Sequence, residues 1–349
     1  MANIKNESFQ INLASIVNYI KLHHDYKVFS KQTEKYLLVE GDLDRQFFEK
    51  QFAMRVQCVV VSNIIKNRAA LSSSSFKSKS QTQNVKTNIK SVIYEVIVGL
   101  AKFPAAPWIK PSGMEKWPLY GIIDLDFNDE VQYEKFKKLF VTETHDLETM
   151  ILATDENVLS KVNCDFTEDQ IKKAFFMAYQ MAFIRKNLPD DLPHTLEKIQ
   201  NQSGEVDFPS FFDGLKMNLS KLITLLAKDS SGINPKTFPN LLQKKEYKKY
   251  FTEEGIWNQD YDSFDIKVIK NFWKLINGHD FLQLLKLQNE IAKNIFCALN
   301  SNVLNRAFEA AIIENYNSEC FEKTTTYKKM FESGMIADNN VEILRKTDI

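Results

Sequence analysis

The chain has 349 residues, 44% of them apolar and 26% charged, and its 45 basic and 45 acidic side chains give a formal charge of zero. These are the proportions of an ordinary soluble globular protein with one large domain or two smaller ones. The zero balance excludes a global electrostatic signature of nucleic-acid binding, so such a surface must be local.

Cys58, Cys164, Cys297 and Cys320 are isolated, with no CxxC pair and no histidine at ligand spacing, which predicts reduced core thiols rather than a zinc site. MANIKNESFQ lacks a basic-then-apolar leader, and no run approaches the ~18 apolar residues of a membrane span, so a cytoplasmic protein with no membrane partner is expected.

Residues 11–30 carry the pattern of an amphipathic helix and lead into YLLVEGDLD, Tyr36 to Asp44. A short apolar run bounded by turn residues predicts a buried strand, here 36–40, of a mostly parallel sheet. Gly41 is expected to make a tight turn, and Leu43, Phe47, Phe48 and Phe52 then recur at helical spacing. CVVVS, Cys58 to Ser62, predicts the second strand.

Residues 50–94 contain no acid but carry Lys50, Arg55, Lys66, Arg68, Lys77, Lys79, Lys86 and Lys90 around the polar stretch SSSSFKSKSQTQN at 72–84. One reading is a solvated insertion at about 63–90. The other is a basic flap in which Lys66, Arg68, Lys77, Lys79 and Lys86 meet nucleic-acid phosphates.

Ile89–Lys102 predicts a helix, and Phe103–Pro118, with its four prolines, an irregular crossover. YGIIDLDFN, Tyr120 to Asn128, is a second apolar run ending in acid and predicts a strand at 119–124. A short helix is expected at about Tyr133–Leu139. A third apolar run, LFVTET at 139–144, then opens into His145-Asp146-Leu147-Glu148 and a helix through Leu152.

From Phe166 onward helical patterns replace the strand-like runs. Thr167 to Gln170 matches a capping box, and Ile171, Ala174, Phe175, Ala178 and Ala182 make an apolar face. Further helices are expected around 213–228, 238–251, 264–276, 279–299, 301–316 and 324–333. The fold class is therefore α/β, a Rossmann-like mostly parallel sheet with flanking helices over 1–160, followed by a largely helical region over 161–349.

Glu40 closes the first apolar run, and Asp124 and Asp126 close the second. Open α/β sheets bind ligands at the C-terminal edge of their strands. If extended backbone continues through Leu125, Asp124 and Asp126 point to one side. Carboxylates gathered there repel one another unless a cation joins them, and Mg²⁺ or Mn²⁺ is the hard cation that takes oxygen ligands.

Glu40-Gly41-x-x-Asp44 after a strand, then Asp124-x-Asp126 after a later one, resembles the Toprim domain shared by topoisomerases, bacterial primases, small RNA-processing nucleases and overcoming-lysogenization-defect nucleases. The separation of Glu40 from Asp124 is longer than in compact Toprim domains, the basic segment and the proline-rich crossover being the insertions. VEGDLD, GIIDLDF and HDLETMIL also resemble one Toprim-like branch of unknown function. Asn277-Gly278-His279-Asp280-Phe281-Leu282 is similar to that branch's Gly-basic-Asp-Leu-Leu segment, with His for Lys. The likeness spans 36–152 well and the remainder loosely.

The resemblance implies a metal-dependent nuclease with Glu40, Asp124 and Asp126 as catalytic residues. Asp124 and Asp126 would hold one Mg²⁺ or Mn²⁺, and Glu40 would complete its shell or act on the attacking water. Glu148 or Asp44 would bridge a second ion, in a two-metal clamp on phosphodiester oxygens. It implies DNA, tRNA or other RNA as partner and, as in one member type, the role of effector in an antiphage system that pairs an ATPase with the nuclease. A co-encoded ATPase and a homodimer are the protein partners it allows, and the chain has no P-loop of its own.

Other readings of the same residues stand beside this one. Asp44 and Glu148 suit the first turn of a helix as dipole partners. His145, beside the acids, and His279 are otherwise structural or surface histidines. Another DxD phosphotransfer enzyme, or a Toprim-like module kept for partner binding, would also carry these acids.

Overall fold

The structure, a computed structural model, describes residues 35–52, 56–65, 89–102, 119–126, 133, 135–162, 164–187, 212–217, 260–269, 271–289 and 307–336. The chain forms two compact units, residues 1–143 together with 317–349, and residues 144–316. The units are not divided at a single point, because the C-terminal stretch belongs with the first.

The first unit is an α/β fold. Strands β1 (Lys35–Val39), β2 (Val56–Val60), β3 (Leu119–Ile123) and β4 (Leu139–Val141) form one parallel sheet in the order β2-β1-β3-β4. Its helices are α1 (Asp42–Gln51) and α2 (Ile89–Lys102). All but one of the residues of β1, and all of β3 and β4, are buried, as a parallel sheet covered on both faces requires.

Tyr36, Leu38, Leu119, Ile123, Leu139 and Val141 share one core with Val92, Ile93, Val96 and Ile97 of α2. Gly121 lets α2 approach, since a Cβ there would lie 2.8 Å from Ile93 and 2.9 Å from Ile97. Side chains alternate along a strand, so Leu37, Val39, Tyr120 and Phe140 face the other way. Tyr120 stacks on Phe140 with centroids 5.9 Å apart.

Two helices from the C-terminal stretch, near the end of the chain at Ser318–Glu322 and Thr325–Glu332, complete this unit. Phe321 meets Phe47 edge-on at 5.2 Å, and Thr326 Oγ1 donates to the carbonyl of Val141 at 3.0 Å.

The second unit holds α3 (Leu147–Thr154), α4 (Glu168–Asn187), a two-strand hairpin of β5 (Phe212–Asp213) and β6 (Lys216–Met217), α5 (Phe272–Leu275), α6 (Gly278–Gln288) and α7 (Ala307–Asn315). In chain order the two C-terminal helices of the first unit are then α8 and α9. α4 begins with the expected capping box: Gln170 N donates to Thr167 Oγ1 at 3.2 Å and Thr167 N to Gln170 Oε1 at 3.0 Å. Its apolar face packs on α6, where Phe175 and Phe281 stack 4.1 Å apart.

Several local expectations shift. β2 starts at Val56 because it pairs in register with Lys35, and Val61 opens a helical turn over 61–65. Residues 135–138 form turns rather than a helix, and Leu139 already belongs to β4. The helix expected from 213 is, over 212–217, the hairpin, because Gly214-Leu215 forms its two-residue loop and Gly214 takes φ 63. The helix expected over 264–276 narrows to α5, which follows Asn271 in the left-handed region at φ 58. Of the helix expected over 279–299, α6 covers the start and ends at Gln288, and 290–299 lie outside the described residues. The helices expected at 11–30 and 238–251, and the basic segment with Lys66, Arg68, Lys77, Lys79 and Lys86, lie outside the described residues. Among the described residues no helix is long and apolar enough to cross a membrane.

Candidate functional site

The order β2-β1-β3-β4 means that the chain leaves β1 in one direction and returns on its other side at β3. The gap beyond the C-terminal ends of β1 and β3 is the switch point at which such sheets bind ligands. Glu40 directly follows β1 and Asp124 directly follows β3. They meet there: Asp124 N donates to Glu40 Oε1 at 3.3 Å.

Asp126 reaches the same edge by a different route from simple alternation. The strand ends at Ile123, Leu125 is buried with its N–H on Thr142 Oγ1 at 3.0 Å, and Asp126 turns in the left-handed region at φ 49. Aspartate tolerates that conformation better than most residues. Leu125 is thus the peg, with the two half-buried acids on either side of it.

Asp44 lies at the start of α1. Its Oδ2 accepts from the N–H of Gly41 at 2.8 Å, closing the helix N-terminus. Gly41 itself is extended, at φ −136, so the expected tight turn is not there and no glycine-specific backbone is used. Asp42 is engaged by Arg45 at 3.1 Å and by Asn63 at 3.3 Å.

Lys90, a cation of this cluster, is not among the expected site residues. Lys90, in the first turn of α2, donates from Nζ to Asp126 Oδ2. Its side chain is 13% exposed. Burial works against its charge, but Asp126, Asp124 and Glu40 outweigh that effect and hold the ammonium above its ordinary value. The signal for it in the sequence is a lysine at a predicted helix start within a long acid-free segment.

Glu40 is pushed up to about 7, first by burial and then by the charges of Asp44 and Asp126, against the opposing pull of Lys90 and the Asp124 N–H. Burial is thus the main reason this carboxyl is held up, and two neighbouring carboxylates add to it. Among the described residues no group of three His, Cys, Asp or Glu side chains is arranged to enclose a metal ion. The donor set nevertheless fits a hard cation in kind: its side-chain ligands are carboxylate oxygens, and Lys90 stands in as the positive charge they attract.

Glu148, the other candidate ligand, belongs to the second unit. It lies in the first turn of α3, buried, with Oε1 at 3.5 Å from Nε2 of His279. The opposite ring nitrogen of His279 is 3.9 Å from Glu309 Oε1. Between these acids, Glu148 foremost, the imidazole is pushed up to about 10. The two glutamates shift in opposite directions: burial prevails at Glu148 and raises it, whereas at Glu309 His279 and Lys286 overcome burial and lower it.

Next to them, buried Asp146 caps α3 by accepting from Thr149 N at 2.9 Å, and its Oδ2 accepts from Gly278 N at 2.7 Å. Burial opposes its charge, but His145, with Nδ1 at 3.2 Å, His279 and Thr149 hold its carboxyl down at about 2. These contacts join the N-terminal ends of α3 and α6.

Among the described residues Cys58, Cys164 and Cys320 form no disulfide; Cys58 and Cys164 are buried, which pushes both thiols upward, and Cys320 is half-buried. Neither a protein-family model nor a curated protein sequence matches this chain.

Proposed function

We propose that the α/β unit is a Toprim-type, metal-dependent phosphodiesterase that cleaves nucleic acid. The observation that carries this reading is the meeting of Glu40, Asp124 and Asp126 at the switch-point edge of a parallel sheet, with an ammonium drawn into their midst. Glu40, Asp124 and Asp126 would hold Mg²⁺ or Mn²⁺, which supplies charge neutralisation and an activated water for phosphodiester hydrolysis.

The chain's own groups supply the rest. The Asp124 N–H fixes one oxygen of Glu40 and leaves the carboxylate within the field of Asp126 and Asp44. Where Glu40 acts on the attacking water instead of completing the ion's shell, a glutamate raised to about 7 is matched to taking or giving a proton at neutral pH. Leu125, buried between the two aspartates in the chain and tied to Thr142 Oγ1 through its N–H, anchors the segment that carries them. With this reading goes the role of nuclease in an ATPase-paired antiphage system; that part rests on the sequence resemblance.

The test is cleavage of labelled DNA, tRNA and messenger RNA by the full chain with Mg²⁺, Mn²⁺ or EDTA, alone and with a co-encoded ATPase. Metal-dependent cuts that vanish in Glu40→Gln and Asp124→Asn establish the reading and name the substrate. No cleavage under any condition, with no Mn²⁺ bound in calorimetry, removes it and leaves a binding module.

A further inference from the structure

We propose that Lys90 is the built-in counter-ion of the strand-edge carboxylates, and that a divalent ion enters this site only by displacing its ammonium. The inference rests on the reading of Glu40, Asp124 and Asp126 as a cation-holding set.

Position is the first argument. α2 is fixed against β3 by its close packing at Gly121, and this packing presents its first turn to the edge where β3 ends. From there Lys90 reaches Asp126, with its side chain largely withdrawn from solvent. A lysine at this end of a helix is on the unfavourable side of the helix dipole, and the first turn of α2 holds no acid to offset it. Helix stability therefore does not explain Lys90, whereas the acids do.

Charge is the second argument. The ammonium of Lys90 bonds Asp126, one of the residues that would ligate a metal, so ammonium and metal compete for the same carboxylate. A divalent ion bound there repels the ammonium at close range in a part-buried setting, where screening is weak. Lysine's four-carbon stem allows the head to swing out to water without unfolding the helix. The edge is thus a carboxylate set held by its own ammonium until a divalent ion replaces it.

The experiment is a Mn²⁺ titration of the full chain, by calorimetry and by the paramagnetic resonance of free Mn²⁺, in wild type, Lys90→Met and Lys90→Arg. Lys90→Met, which keeps the stem and removes the charge, is expected to bind Mn²⁺ about tenfold tighter than wild type, and Lys90→Arg no tighter. Equal or weaker binding by Lys90→Met, or binding by none of the three, overturns the proposal.

A second readout needs no variant, should Lys90→Met fail to fold. Reductive methylation of Lys90 in wild type, followed by mass spectrometry, is expected to be slow without metal and several-fold faster at saturating Mn²⁺; an unchanged rate overturns the proposal. Cleavage assays on the same proteins separate the two readings. Tighter Mn²⁺ binding by Lys90→Met without cleavage by any protein upholds the Lys90 assignment and removes the nuclease. Mn²⁺-dependent cleavage with no affinity gain does the reverse.

Discussion

At the sheet edge of the first unit, Glu40, Asp124 and Asp126 lie in the field of the Lys90 ammonium, which bonds Asp126; among the helix ends of the second, Asp146, Glu148 and Glu309 are met by two imidazoles and by backbone N–H groups. The second cluster is buried and its aspartate is held far below the usual range, the mark of a carboxylate whose hydrogen bonds favour its charge. The first is half-open, and burial foremost holds its glutamate up near neutrality. Acids enclosed by their own chain build structure, whereas acids at a half-open strand edge can meet a ligand from solvent.

The sharpest way to break this contrast is to remove one acid from each side. Glu40→Gln and Asp124→Asn are expected to lower metal-dependent cleavage at least about 100-fold, with an unchanged or higher urea midpoint, since like charges are relieved. A loss below about threefold would move the chemistry elsewhere.

Asp146→Ala is expected to act in the opposite sense, on stability. It strips a cap and leaves the buried N–H groups of Thr149 and Gly278 unpaired, for a loss of about 3 kcal/mol by urea denaturation. A loss under about 0.5 kcal/mol would contradict the structural role of this cluster.

A pH series sharpens the contrast further. Because Glu40 is raised to about 7 in the folded chain, the folded state binds its proton more tightly than the unfolded state. Its contribution is therefore fully present below the unfolded carboxylate range, near 4.5, and is lost as pH rises through about 7. The slope is at most about 1.4 kcal/mol per pH unit, and Glu40→Gln should flatten the stability profile between pH 5 and about 7. Asp146, lowered to about 2, works the other way: its stabilisation is present above its unfolded value near 3.8 and lost as pH falls through about 2. An unaltered slope in Glu40→Gln would show that its carboxylate is not raised.

The smallest effect belongs to a pure capping site. Thr167→Ala is expected to lower stability by about 1 kcal/mol with cleavage unaffected, and no change in the midpoint would mean that the box contributes nothing in solution.

Much of this architecture is decided by short-range pattern. Apolar runs of strand length predict β1, β3 and β4, helical spacing predicts α1 and α2, and Thr167 to Gln170 predicts the start of α4, because burial on a periodic backbone leaves its period in the residues. The same runs place Glu40 and Asp124 at strand ends, so the acidic edge is legible from the sequence. What only the tertiary structure decides is partnership. The left-handed turn that brings Asp126 to the edge, the use of Asp44 as a cap, the placing of Lys90 on Asp126, and the return of Phe321 to the aromatic core of the first unit all join residues whose meeting depends on packing. The hairpin at 212–217 overrides a helical pattern because Gly214 turns the chain and Gln180 accepts from Met217 N at 3.0 Å. Local pattern fixes which face of an element is apolar, whereas contacts between residues far apart in the chain follow from how those faces close on one another, and that is where the counter-ion of this site is chosen.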